Sequence, residues 1–239
     1  MKKLSTILLA LLLAVSLSAQ EEMGGLGFHI GFAAPTLRVN SPTTKTLETI
    51  PMNGVKVGLS YDATIIKGFG TTLGLNYTFG TYHSKWSSVS EGGYSTAQTS
   101  YRDTYQGLEI FCDWQYKFEI AGDTYVMLYT GPTIQVHLSL KEQQYLRSGD
   151  ETKRQTRYGY EYRDNEAFED YKRVNVTWGV GAGFQYRQFF LRGGYDFGLL
   201  NPYKSDQFKD YPKKDGSIPW TDGCFDQWQI KLGVYFLQF

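Results

Sequence analysis

The sequence predicts an all-β fold, an eight-stranded antiparallel up-and-down transmembrane β-barrel with short periplasmic turns and long extracellular loops. Three observations predict it. Apolar and polar residues alternate with a period of two in eight segments, long and short connections alternate between these segments, and the N-terminus has the pattern of a secretory signal peptide. After that peptide, no run approaches the ~20 apolar residues that a membrane helix needs. In lipid, a closed barrel is therefore the structure in which the backbone N–H and C=O groups of this chain could all form hydrogen bonds.

The first nineteen residues have the parts of a signal peptide. Lys2 and Lys3 are basic, residues 4–15 are apolar, and small residues follow as far as Ala19. No cysteine stands at the junction, which argues against a lipid anchor there. We therefore expect residues 1–19 to be a cleaved signal peptide and residues 22–239 to form a barrel domain in the cell outer membrane.

The composition fits a barrel and argues against one class of partner. The chain has 24 basic and 24 acidic residues, so its balanced charge does not indicate a nucleic-acid partner. Aromatic residues make up 16% of the chain and there are 26 glycines, which is typical of strands with one face in lipid and one in a polar lumen. Cys112 and Cys224 would lie on opposite walls of an eight-stranded ring, so we expect free thiols.

The first four segments each have an apolar outward face and a polar or small inward face. Their outward residues, in chain order, are Leu26, Phe28, Ile30 and Phe32; Val55, Val57, Leu59 and Tyr61; Leu73, Leu75, Tyr77 and Phe79; and Leu108, Ile110, Cys112, Trp114, Tyr116 and Phe118. Phe111 breaks the polar side of the fourth segment.

The last four segments repeat this pattern. Their outward residues are Val126, Leu128, Ile134, Val136 and Leu138; Val174, Val176, Trp178, Val180, Ala182, Phe184 and Tyr186; Phe189, Leu191, Tyr195 and Phe197; and Trp228, Ile230, Leu232, Val234 and Phe236. Pro132 falls on the outward face of the fifth segment and has no N–H, so we expect a bulge or a local pairing defect there. The even number of segments agrees with bacterial single-chain barrels.

The connections alternate strictly between long and short. Long connections follow the first, third, fifth and seventh segments, whereas the other three are tight turns near residues 65–68, 120–123 and 187–188. In a meander every second connection lies at the same end, so one rim carries all the long loops and both termini lie at the periplasmic end. A soluble β-sandwich or a lipocalin-like carrier, the rival folds, has no reason to sort its loops in this way.

Inward-facing charged residues are the main candidate site. They are Lys56, Asp62, Glu109, Asp113, Lys117, Arg187, Arg192, Asp196 and Lys231. An eight-stranded barrel is only wide enough for side chains to fill, and an unpaired buried charge is costly. We therefore expect a lumen charge network that plugs the barrel, with inward glycines making room for the long side chains.

A catalytic site is not expected. Nucleophilic catalysis would need Ser, His and a carboxylate together at the outer rim, and the pattern places only His137, Ser139 and His83 near it. The sequence has no metal-spaced His or Cys cluster and no glycine-rich phosphate loop, so we expect neither a metal nor a cofactor.

The longest connection contains candidate contact residues for a partner, which are Tyr145, Tyr158, Tyr160 and Tyr162. The last three alternate with Gly159 and Glu161, which indicates that the fifth and sixth segments continue beyond the membrane as a hairpin. Tyrosine among charged residues is typical of a binding surface. It is equally typical of a solvated hairpin held by cross-strand pairs, so both interpretations stay open.

Two short motifs carry a family resemblance. Together with the signal peptide and the meander, Gly-Tyr-Asp-Phe-Gly-Leu-Leu-Asn at 194–201 and Leu-Gly-Val-Tyr-Phe at 232–236 resemble the PorT-like outer-membrane β-barrel family of Gram-negative bacteria. The resemblance covers most of residues 22–239. It implies an outer-membrane location, and one branch of the family participates in protein secretion.

Three functions are compatible with these observations. The first is a non-enzymatic integral outer-membrane barrel with a plugged polar lumen, whose outer loops bind a protein partner or support the envelope or secretion. The second is a narrow porin-like channel for small solutes, and the third is a lipid-modifying outer-membrane enzyme. All three put the apolar faces in contact with outer-membrane lipid and lipopolysaccharide.

Overall fold

Every regular element of the described chain is a β-strand. The computed structural model describes residues 24–40, 47–66, 68–91, 94–148, 151–158, 172–202 and 222–238. Its strands are β1 (Gly25–Asn40), β2 (Leu47–Pro51), β3 (Asn53–Ile66), β4 (Phe69–His83), β5 (Ser87–Glu91), β6 (Tyr94–Ala121), β7 (Thr124–Ser148), β8 (Glu151–Tyr158), β9 (Val174–Tyr186), β10 (Phe189–Gly198) and β11 (Asp222–Gln238). Within these ranges, no helix has the length and apolar character needed to cross a membrane.

Antiparallel pairing closes eight of the eleven strands into a ring. The order around the ring is β1, β3, β4, β6, β7, β9, β10 and β11, and β11 pairs again with β1. These eight strands correspond to the eight predicted segments, which confirms the up-and-down barrel. Cys112 on β6 and Cys224 on β11 are four strands apart in either direction and are free thiols, as predicted.

The alternation of faces is also confirmed. Along β1, Ile30 is 50% exposed whereas the adjacent His29 is 1% exposed. Along β6, Ile110 is 58% exposed and Glu109 is 1% exposed. The exposed apolar residues of all eight barrel strands form one continuous outer belt, which is the surface that hydrocarbon covers in an outer-membrane barrel.

The short turns lie at the same rim as the start of β1 and the end of β11. Gly25 pairs with Gln238, and β3 joins β4, β6 joins β7 and β9 joins β10 through short turns at this rim. Gly68 and Gly122 have φ values of 83° and 51°, which glycine adopts without steric cost. This rim is the periplasmic end, so the long connections lie at the extracellular end.

The long connections contain strands that the sequence pattern did not predict. In the first long connection, β1 continues to Asn40 and pairs with β2. β6 and β7 are 28 and 25 residues long, and above the outer rim they pair with β5 and β8 respectively. The four strands β5, β6, β7 and β8 form what we call the outer extension. The fifth and sixth segments were expected to continue together as a hairpin. The fifth segment, β7, does continue and pairs with β8, whereas the sixth, β9, begins only at Val174.

Pro132 marks a gap in the ladder between β6 and β7. Phe111 pairs with Thr133, and the next pair recorded is Trp114 with Thr130, in the same register. The missing donor of Pro132 therefore interrupts the pairing without a bulge, which is one of the two outcomes expected from the sequence. On the other side of β7, Pro132 pairs with Trp178 of β9 without interruption.

Candidate functional site

The part of the lumen nearer the outer rim is organised around Glu109 of β6. Lys56 Nζ of β3 lies 2.6 Å from Glu109 Oε2. The Gln227 amide donates to Glu109 Oε1 at 3.2 Å and thereby connects β11 with β6 across the lumen. Asn76 and Thr78 also donate to this carboxylate, at 3.1 and 2.8 Å. Because donors reach both oxygens, the buried charge of Glu109 is compensated.

A second group surrounds Asp62 of β3, nearer the periplasmic rim. Lys117 Nζ lies 3.0 Å from Asp62 Oδ2, and Arg192 Nη2 lies 3.3 Å from Asp62 Oδ1. The hydroxyl groups of Thr72 and Tyr235 donate to the same carboxylate. Strands β3, β4, β6, β10 and β11 all contribute to this one fully buried anion, so it joins distant walls of the barrel.

Arg192 extends this group towards the middle of the lumen. Besides contacting Asp62, its guanidinium donates to Gln115 Oε1, and its Nη1 lies 3.9 Å from Asp113 Oδ2. The ring of Tyr129 lies 5.4 Å from Arg192 Cζ, a cation–π distance. A planar guanidinium suits this position because it can direct several donors to different acceptors at once.

Asp196 and Lys231 complete the polar interior. Asp196 Oδ2 accepts hydrogen bonds from the amides of Gln229 and Gln227, at 2.9 and 3.3 Å. Lys231 Nζ lies 4.6 Å from the centre of the Phe111 ring. Phe111, which breaks the polar side of its segment, thus provides a cation–π surface for a buried ammonium group.

Apolar side chains fill the lumen at both ends of this network. The outer plug consists of Leu37, Met52, Tyr105, Leu140 and Phe225, and the inner plug consists of Met127, Phe190 and Tyr235. Sequence reasoning missed both plugs, because it assigned the inward face to polar residues. The signal was present: Tyr105, Phe190 and Tyr235 occupy inward positions of their own strands.

Inward glycines make room for the largest of these side chains. A Cβ added at Gly74 would collide with the Phe111 ring, and one added at Gly233 would collide with the Phe190 ring. The interior is thus close-packed, and its glycines are spacers rather than points of flexibility.

Eight of the nine predicted lumen charges are buried inside the barrel. These are Lys56, Asp62, Glu109, Asp113, Lys117, Arg192, Asp196 and Lys231. The prediction for Arg187 is wrong. Arg187 lies in the turn between β9 and β10 with a φ of 51°, and its exposed guanidinium pairs with Asp123 at 3.4 Å. The chain leaves the strand geometry before this residue, so the period of two no longer applies.

The residues considered for catalysis are not assembled into a site. His137 is buried in the outer plug, with its ring 4.7 Å from Phe225 and 5.3 Å from Tyr105. His83 is exposed at the end of β4, and Ser139 pairs with an outward residue of β6. In the ranges that the structure describes, no three His, Cys, Asp or Glu side chains are placed to hold a metal.

Two of the four predicted loop tyrosines lie within the described residues. Tyr145 lies on β7 in the outer extension, and its hydroxyl donates to Gln143 Oε1 at 3.2 Å. Tyr158 is the last residue of β8, where its backbone pairs with Lys141. Tyr160 and Tyr162 lie outside the described residues. The side-chain contact of Tyr145 thus lies within β7, while its backbone pairs with Arg154 of β8.

A group of polar side chains joins the first and last strands of the barrel, just above the apolar belt. Arg38 of β1 forms an ion pair with Asp226 of β11, and Tyr195 of β10 donates to Asp226 at 2.9 Å. Burial opposes the charge of Arg38, but Asp226 raises the pKa of the guanidinium above its ordinary value. Burial and then Asp226 raise the pKa of the Cys224 thiol, which therefore stays protonated.

Comparison with known proteins identifies one family. A model of the family described as outer membrane protein beta-barrel domain matches residues 18–203. No curated protein matches the sequence.

Three solved structures that resemble this chain share little sequence with it. Ail of Yersinia pestis, in complex with the heparin analogue sucrose octasulfate, is 11% identical, with 92% of this chain and 100% of that chain covered and a TM-score of 0.40. Neisserial surface protein A is 10% identical over 90% and 100%, with a TM-score of 0.41. The toluene transporter TodX of P. putida is 10% identical over 93% and 92%, with a TM-score of 0.26. At such TM-scores these structures assign neither a ligand nor a partner.

Proposed function

The chain belongs to the outer membrane protein beta-barrel domain family, and from this premise we propose that it is a non-enzymatic integral outer-membrane protein that acts through its outer surface. The observation that carries the proposal is the filled lumen. A charge network occupies the middle of the barrel, and the outer and inner plugs occupy its two ends. A barrel filled in this way offers solutes no aqueous path. The surfaces left to carry a function are therefore the outer extension and the lipid-facing wall.

The outer extension is the surface most suited to a protein partner or to a role in the envelope. It presents hydrogen-bonded strands well beyond the apolar belt, including the exposed Tyr101 and the half-buried Tyr145. Outer-membrane lipid and lipopolysaccharide are the partners proposed for the belt and its rim. Export by a signal peptide over residues 1–19 is part of the proposal, and N-terminal sequencing of the purified protein tests it.

The resemblance to PorT-like barrels adds a proposed role in protein secretion. Loss of the protein would then reduce the secreted fraction of a cargo protein while leaving its synthesis unchanged. A deletion strain that secretes its proteins at the normal level would contradict this role and leave the barrel assignment intact.

Single-channel recording separates the sealed barrel from a narrow channel. We expect the refolded mature protein to insert into planar bilayers without producing stable conductance steps, because both ends of the lumen are packed. A porin reconstituted in the same membranes serves as the positive control. A reproducible unitary conductance would contradict the sealed lumen and favour the channel.

A further inference from the structure

We infer that the lipid-facing wall binds one phospholipid of the periplasmic leaflet, an inference that rests on the proposed outer-membrane function. A groove with a volume of about 300 Å³ lies on the outside of the barrel where β4, β6 and β7 are neighbours. Its outward residues, which define what we call the lipid groove, are Phe69, Trp114, Tyr116, Leu128 and Thr130. This volume is at the lower end of the range for ligand sites, so it suits part of one acyl chain rather than a bulky molecule.

Strand pairing places the walls of the lipid groove side by side. Tyr116 of β6 is opposite Phe69 of β4 on one side and Leu128 of β7 on the other, and Trp114 is opposite Thr130. Paired residues and residues two apart on a strand share a face of the sheet. The four large side chains are 41–52% exposed, so the groove opens directly onto the apolar belt.

The floor of the lipid groove is the main chain of β6 and β7. Gln115 and Tyr129 pair with each other at this level. Their side chains are buried in the lumen, where one guanidinium lies against both, so they line the outside only with backbone atoms. The pair of Trp114 with Thr130 is the first one on the periplasmic side of the ladder gap at Pro132. The groove therefore lies directly beside this interruption of the wall.

The lipid groove lies at the periplasmic end of the belt. Phe69 is the first residue of β4, directly after a short turn, and Leu128 is four residues beyond Thr124, where β7 begins. On β7 the exposed apolar face continues ten residues beyond Leu128, as far as Leu138. The lipid molecules beside the groove are therefore those of the periplasmic leaflet, which consists of phospholipid, and not the lipopolysaccharide of the outer leaflet.

Two hydrogen-bond donors of the lipid groove have no partner within the described part of the chain. They are the indole N–H of Trp114 and the hydroxyl of Tyr116. The hydroxyl of Thr130, by contrast, accepts from the Trp178 indole at 2.9 Å and donates to the Gly179 carbonyl at 2.8 Å. An unpaired donor beside hydrocarbon costs free energy, so this site favours an occupant that carries acceptors.

A diacyl phospholipid has both features that the lipid groove favours. Its acyl chain fits the apolar walls. Its ester carbonyl groups lie at the boundary between hydrocarbon and headgroups, where tryptophan and tyrosine side chains concentrate in membrane proteins, and they accept hydrogen bonds. A second copy of this chain would approach with its own belt, whose exposed residues are largely apolar and offer few acceptors to the two donors. The chemistry of the site therefore favours the lipid.

The test separates the two donors from the rest of the belt. Trp114→Phe with Tyr116→Phe removes both donors and keeps aromatic walls. The matched control, Trp228→Phe with Tyr186→Phe, makes the same two substitutions at belt residues outside the lipid groove, which are 44% and 48% exposed. Leu128→Trp fills part of the groove with a larger apolar side chain. Gel mobility before and after boiling shows that each variant is folded.

Native mass spectrometry of the full mature protein, refolded in detergent, counts the bound lipid. The two probes are dipalmitoyl phosphatidylethanolamine and its diether analogue, which has the same headgroup and chain length but no ester carbonyl groups. We expect the wild-type protein to retain one molecule of the ester lipid and to bind the ether lipid about tenfold more weakly, since two hydrogen bonds of ordinary strength are lost.

The donor-free double variant should bind both lipids equally, at the weaker level, because the donors and the carbonyl groups act through the same contacts. Leu128→Trp should weaken the binding of both lipids severalfold, because it occupies the space of the acyl chain. The control double variant should bind like the wild type.

The contrary results have different meanings. Equal retention of the ester and ether lipids by the wild-type protein, or a donor-free variant that binds like the control, would overturn the phospholipid site. A lipid-free dimer that Leu128→Trp dissociates would also overturn it and would make the groove an interface between copies. A wild-type protein that remains monodisperse without detergent would instead overturn the proposed outer-membrane function.

Discussion

Replacing Asp62 with asparagine is expected to destabilise the barrel by about 3–5 kcal/mol, because it removes the buried anion that two buried cations contact. Lys117 and Arg192 both contact this carboxylate, and all three side chains are buried. The substitution keeps the size of the side chain and removes only its charge. Guanidinium unfolding in lipid vesicles, followed by tryptophan fluorescence, measures the change in the free energy of unfolding.

A matched control lies at the periplasmic rim. Asp123→Asn makes the same chemical change at the exposed ion pair with Arg187, whose side chains are 63% and 67% exposed. An ion pair in water contributes about 0–1 kcal/mol, so this variant should unfold almost like the wild type. Equal effects of the two substitutions would show that the lumen charges are not organised as a buried network.

A charge in the middle of the belt is expected to have the second large effect. Leu232 of β11 is 58% exposed and pairs with Ile30 and Leu191 of the adjacent strands. In hydrocarbon, Leu232→Arg should cost about 2–4 kcal/mol, since arginine is expensive near the bilayer midplane. On a surface in water, the same substitution would lie within about 0.5 kcal/mol.

The control for this substitution lies on the outer extension. Leu146→Arg changes a 38% exposed leucine on β7 that stands beyond the belt, and it should leave the stability of the vesicle-inserted protein nearly unchanged. A small effect at both leucines would mean that water covers the belt. Chemical unfolding of the three proteins in the same vesicles makes the comparison.

The outward face of the barrel could be predicted from the sequence because lipid imposes a simple rule. Every second residue from Trp228 to Phe236 must be apolar, and a period of two survives in the sequence whatever the partners inside the barrel. The same rule located most inward charges, since Glu109 and Asp113 alternate with Ile110, Cys112 and Trp114. The partners of these charged residues could not be predicted from the sequence. Which side chains meet across the lumen depends on how the strands close into a ring and on their stagger.

The features that the sequence analysis predicted wrongly or did not predict have identifiable physical causes. Arg187 was assigned to the lumen because the alternation was extended one residue into a turn, where the backbone takes a positive φ. The plugs were missed because a packed lumen tolerates aromatic residues such as Tyr105 and Phe225 wherever glycines and neighbours leave room. Strands β5 and β8 carried no apolar alternation, since outside the membrane both of their faces can be polar.

Quenching of tryptophan by brominated lipid tails tests the central claim most directly. Trp114, Trp178 and Trp228 belong to the apolar belt and are 37–46% exposed. In a variant with Trp86→Phe and Trp220→Phe, which keeps only these three of the five tryptophans, bromines on the acyl chains should strongly quench the fluorescence. A protein that remains monodisperse in detergent-free buffer, with fluorescence unchanged by brominated vesicles, would contradict a wall of this barrel immersed in lipid.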